Sequence, residues 1–114
     1  MIEVKVRADG ITITGHADYA PAGQDIVCAG ISTLFQTLIQ SIESLTTDRI
    51  TYKIISGASE LKYGKLSEQA KILVDAFFVG VLLIVDIYPD YVYVNWKFNI
   101  DWAGMELIKS YEKR

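Results

Sequence analysis

The chain holds one histidine and one cysteine, His16 and Cys28, both inside the stretch from Gly15 to Ser32. Thiol and imidazole can exchange a proton near neutral pH and form a thiolate–imidazolium pair. Such a pair is a nucleophile with its base. Apart, the two residues leave the chain without any other complete catalytic set. Each also has a plainer reading. A lone cysteine beside Val27 and Ile31 can be a small buried hydrophobe, and a histidine at a strand end can be a hydrogen-bonded surface residue.

The flanking elements must bring the pair together. Asp25 is a good N-cap, and Val27, Ile31, Leu34, Phe35, Leu38, Ile42 and Leu45 recur at helical spacing, which predicts a helix from about Ile26 to Leu45. Cys28 then falls in the first turn, where open backbone N–H groups and the positive end of the helix dipole favour an anion. The same N–H groups could hold the oxyanion of a tetrahedral intermediate. Ser32, one turn on, shares that face, although a serine there can instead bond its own helix backbone. Upstream, Ile11 and Ile13 alternate with Thr12 and Thr14, so strand alternation sends His16 to the threonine side. Gly15 permits unusual backbone angles beside it. Residues Ala17–Gln24, with Tyr19, Pro21 and Gly23, read as a loop and a candidate flap over the site, mobile until a peptide binds.

The remaining pattern completes a small domain. Ile2, Val4 and Val6 alternate with charged residues, and Asp9-Gly10 signals a hairpin to the next strand. Ile50, Tyr52 and Ile54 predict a third strand, Ser56-Gly57 a turn, and Leu61–Tyr63 a short fourth strand. Ser67 caps a second helix that Pro89 ends. Its half from Phe77 to Val85 is apolar on every side, which predicts burial all round, in part by a second subunit. Asp75 and Asp86 read as polar interruptions at its edge. Val92 to Ile100 alternate as a fifth strand, and Asp101 can cap a short C-terminal helix with Trp102, Met105, Ile108 and Tyr111 on one face. The order is ββαββαβ. The expected class is α+β, an antiparallel sheet with two main helices packed on it and room for that short C-terminal helix. Residues 1–114 form one expected domain.

Composition narrows the function. The formal charge is −3, from 14 acidic and 11 basic residues, and the basic residues do not cluster. That argues against nucleic acid as a partner. One cysteine excludes an internal disulfide, and the Cys and His count is too small for an ordinary zinc site, so no metal is expected. No apolar leader opens the chain, and the run Ile72–Val85 is too short to span a bilayer and carries Asp75. A cytoplasmic protein without membrane association is the expectation.

The motif Gly15-His16-Ala17, a short loop, then Gly23-x-Asp25-Ile26-Val27-Cys28-Ala29-Gly30-Ile31-Ser32 resembles the signature of the ribosomal-processing cysteine protease family, in cellular or bacteriophage-encoded form. A looser resemblance continues to about residue 94. It implies a cytoplasmic homodimer that needs no cofactor. Similar proteins remove a short N-terminal extension from a large-subunit ribosomal protein, cutting beside aromatic residues; a phage structural precursor is the substrate implied for phage copies. The resemblance implies Cys28 as nucleophile and His16 as general base. It matches Asp25 and Ser32 to positions that support the site; Gly15 is expected to support it as well, and Tyr19 and Gly23 are expected in the substrate loop. Residues 95–114 extend beyond the usual family end, and Gly30 stands where alanine is commoner, which should loosen the helix slightly. The other reading is a non-catalytic dimeric protein-binding module of the same fold.

Overall fold

The computed structural model describes residues 1–96. Its elements are β1 (Ile2–Arg7), β2 (Gly10–Thr14), α1 (Ile26–Leu45), β3 (Ile50–Lys53), β4 (Ala58–Tyr63), α2 (Glu68–Ile87) and β5 (Val92–Trp96). The α+β class and the order ββαββαβ are as the sequence predicts. The expected C-terminal helix, and the strand residues after Trp96, lie outside the described residues.

Five strands form one sheet in the order β3-β4-β2-β1-β5. The β1–β2 hairpin sets Val6 opposite Ile11 and Val4 opposite Ile13, which aligns their apolar side chains on one face. One expectation needs correction: the sheet is mixed, because β5 runs parallel to β1, with Ile2 opposite Val92. The physical reason is the connection. α2 lies between β4 and β5 and carries the chain back along its own length, so the next strand enters beside β1 in β1's own direction. On the polar side Glu3 ties the two strands, accepting from the Tyr93 hydroxyl at 2.8 Å and from Asn95 Nδ2 at 2.9 Å. β4 is longer than its apolar residues suggest, since its pairing with β2 runs from Ala58 to Lys62.

Both helices share one core with the apolar face of the sheet. Val4, Val6, Ile11, Leu61 and Val92 are fully covered by α1 residues such as Phe35 and Ile39 and α2 residues such as Phe78 and Val81. The helices approach closely through two glycines. A Cβ on Gly30 would sit 3.0 Å from Ile84 Cδ1, and one on Gly80 only 2.6 Å from Leu34 Cδ2. Gly30 is therefore a seat for an α2 side chain, which offsets its low helix propensity.

Within one chain the second half of α2 is covered on part of its surface only, which leaves the remainder for the second subunit that the sequence pattern predicts. Val79 is 47% exposed and Leu83 59%. The sheet and α1 cover only two sides of this helix, and its outward stripe of Ile72, Ala76, Val79, Leu83 and Ile87 faces away from both. By length and apolarity alone α1, rather than Ile72–Val85, is the described helix that could cross a bilayer. Its Val27, Ile31, Phe35, Leu38, Ile39 and Ile42 are instead buried in this core.

Candidate active site

Cys28 lies in the first turn of α1, as its spacing predicts, and is half-buried. Asp25 caps the helix: Oδ1 accepts from the N–H of Val27 and of Cys28, both at 3.0 Å. The other carboxylate oxygen reaches back across the loop. Oδ2 accepts from the N–H of Tyr19 at 3.0 Å and of Ala20 at 3.4 Å. One side chain thus clamps the start of the loop to the start of the helix. Those four donors, the Cys28 N–H first, hold the Asp25 carboxyl below the usual carboxylate range.

This clamp corrects the expectation of open first-turn donors. The N–H groups of Val27 and Cys28 are taken by Asp25, and that of Ala29 bonds the Asp25 carbonyl at 3.0 Å. A different donor faces the sulfur. The backbone N–H of Ala17 donates to Cys28 Sγ at 3.3 Å. Residue 17 follows His16 directly, so this bond brings the histidine's own peptide segment to the thiol.

His16 reaches the site by a route that alternation does not predict. β2 ends at Thr14, and Gly15 takes φ +87°. His16 follows directly and lines a groove that Ile13 also lines. A side chain at Gly15 would be strained by that φ and would also collide with the Met1 carbonyl. The Gly15 N–H donates to the Gly57 carbonyl at 3.0 Å, and the buried Ala17 side chain anchors the far side of His16. The imidazole, itself exposed, lies against Gly57 of the β3–β4 turn.

The groove has a volume of about 710 Å³ and includes both His16 and Cys28. Asp25, Ser32, Gly15 and Gly23 also line it. Ser32 Oγ accepts from Gln36 Nε2 at 2.9 Å, a bond to a side chain one turn on rather than to its helix backbone. Gly23, at φ +85°, serves the turn that Gln24 N–H closes onto the Pro21 carbonyl at 3.0 Å. Tyr19 points elsewhere. Its ring packs edge-on against Tyr88 at 5.3 Å and Tyr91 at 5.1 Å, outside the groove. From the sequence the Ser56-Gly57 turn has no role beyond reversing the chain. It is a wall of the site, together with the exposed Ile54 and Ile55. Among the described residues no cluster of His, Cys, Asp and Glu is arranged to hold a metal ion.

Residues 1–93 match the family model described as cysteine protease Prp. The chain belongs to that family. Prp is a cysteine protease family, and the chain is an enzyme of that class. Relatives named ribosomal processing cysteine protease Prp, from two strains of Staphylococcus aureus, are 26% identical over 103 residues, covering 84% of this chain and 97% of theirs. The fold matches the crystal structure of an S. aureus Prp with a covalently linked product peptide at a TM-score of 0.76 and 23% identity, over 84% of this chain and 97% of that one. A Streptococcus mutans protein of known structure aligns with TM-score 0.64 and 24% identity, over 86% and 91% of the two chains.

Proposed function

We propose that this chain is an endopeptidase that removes a short N-terminal extension from a ribosomal precursor protein, with Cys28 as nucleophile and His16 as general base and acid. The observation that carries the reading is the bond from Ala17 N–H to Cys28 Sγ at 3.3 Å, which ties the segment bearing His16 to the sulfur in one open groove. His16 takes the proton of the Cys28 thiol, the sulfur attacks the scissile carbonyl carbon, and an S–C bond forms. Negative charge moves to the carbonyl oxygen, and the Ala17 N–H already aimed at the sulfur is in reach of that oxygen. The C–N bond then breaks as the His16 imidazolium gives its proton to the leaving amine. His16 next takes a proton from water, whose oxygen attacks the thioester carbon. The carboxylic acid leaves and the thiol is restored. Asp25 orients both sides of the groove, and no step calls for a metal or organic cofactor.

The same reading covers the rest of the molecule. The outward stripe of α2 is the surface a homodimer would cover, since apolar side chains at 4-3-4-4 spacing pack best against a second helix. The cytoplasm is the compartment in which a ribosomal precursor is made. The chain continues beyond residues 1–93, the part that matches the family.

The test is cleavage of a precursor ribosomal protein carrying its N-terminal extension by the parent chain, Cys28→Ala and His16→Ala. Both variants should lose at least about a thousandfold in turnover. Undiminished cleavage by either rejects the mechanism. Cleavage by the parent of a phage structural precursor but not of the ribosomal one would replace the substrate while keeping the chemistry.

A further inference from the structure

We infer that Gly57 is a positioning residue for the base: the absence of a side chain at this turn is the space in which the His16 ring rests. The inference rests on the reading of His16 above. A Cβ on Gly57 would lie 2.8 Å from His16 Nε2, 3.2 Å from Cε1 and 3.7 Å from Cδ2. Those three atoms are one edge of the imidazole. The nearest would be pressed closer than carbon and nitrogen pack, so the ring would have to swing away.

Two further observations make the seat specific. The Gly57 carbonyl accepts from the Gly15 N–H at 3.0 Å, so the residue that receives the ring also holds the backbone one residue before it. The turn itself is braced. Ser59 Oγ accepts from Ile55 N–H at 3.1 Å and donates to the Ile55 carbonyl at 3.0 Å, while Ala58 N–H bonds that carbonyl at 3.0 Å. The β3–β4 turn is thus a rigid stop. The ring leans on it from one side while the Ala17–Cys28 bond holds its peptide from the other. His16 is exposed, and Gly57 bounds the Nε2 edge of its ring.

The test uses iodoacetamide alkylation of Cys28 in the full chain at neutral pH, which reads the thiol without a substrate. Gly57→Ala adds the Cβ, but at φ +77° it also strains the backbone. Gly57→Asn adds the same Cβ at a smaller backbone cost, since asparagine tolerates the left-handed region. Both variants should slow alkylation by roughly tenfold or more, the scale of a misplaced catalytic group. Gly57→Asn should do so with a melting temperature closer to the parent. In a His16→Ala background the Gly57 substitutions should cause no further slowing, because no ring remains to displace. Parent-like alkylation in Gly57→Asn, or equal slowing with and without His16, overturns the inference. If His16→Ala alone leaves alkylation unchanged, the base assignment fails first and this inference with it. If His16→Ala slows it and the Gly57 variants do not, only the positioning role falls.

Discussion

Both long helices begin at a capped N-terminus, and each terminus is tied to a loop by a carboxylate. At α2, Ser67 Oγ accepts from Ala70 N–H at 3.1 Å, and Asp48 accepts from Ser67 N–H at 2.7 Å. At α1, Asp25 serves as cap and tie at once, with two donors from its own helix and two from the loop. The physics is shared, since orphan N–H groups attract an anion at both ends. The segments being held are different. Asp48 holds a connection between α1 and β3 that bears no nucleophile, while Asp25 holds the segment that presents Ala17 N–H to a thiol. A helix start becomes a candidate site through what its cap pulls in from outside, not through the cap or the dipole.

Four substitutions can break or sharpen that contrast. The largest effect belongs to Asp25→Ala, which frees the loop and the first turn together. Turnover on a precursor should fall roughly a hundredfold. Hydrogen exchange at the Tyr19 and Ala20 amides should rise with it. Asp25→Asn adds a pH signature. The folded-state carboxyl titrates below its ordinary value near 3.8, so its contribution to stability is full above that value and is lost as pH falls through the lower folded value. Acid melts of Asp25→Asn should lack that part of the loss.

Ser67→Ala should cost about 1 kcal/mol of stability, as removal of an N-cap does, with turnover unchanged. Equal turnover losses in Ser67→Ala and Asp25→Ala would erase the distinction between the two helix starts.

The smallest effect concerns a carboxylate with the opposite fate. Asp75 sits mid-helix in α2, where Oδ1 finds no hydrogen-bond partner among the described residues and burial raises its carboxyl above the ordinary range. A raised folded value means stability is unpenalised below the unfolded value and is lost as pH climbs toward the folded one. Asp75→Asn should therefore raise the melting temperature at pH 7 by roughly 2 °C, a few tenths of a kcal/mol after solvent screening. At pH 3 it should change little. A destabilised Asp75→Asn at pH 7 would show that the carboxylate has a partner outside the described residues.

Local signals were legible, and their reach ended where distant segments meet. Asp25, Ser67 and Pro89 bound the helices to within a residue, because caps and proline act through adjacent backbone. Cys28 fell in the first turn for the same reason. The parallel entry of β5 was not legible, since alternation in Val92–Trp96 states a face but not a neighbour. The seat of His16 against the β3–β4 turn was not legible, because one glycine at positive φ ends the strand alternation just before it. The Asp25 clamp hid in a residue already explained as a cap. Gly57 had no signal of its own: a missing side chain matters only once another ring is known to lie against it.

The pairing of Ile2 with Val92 has a consequence for the order in which the molecule can be made. β1 is the inner neighbour of both β2 and β5. On a ribosome its first partner emerges within a few residues, but its second only after nearly all the described chain has been synthesised. One margin of the oldest strand stays bare for most of translation, open to wrong partners until the youngest strand arrives to close it.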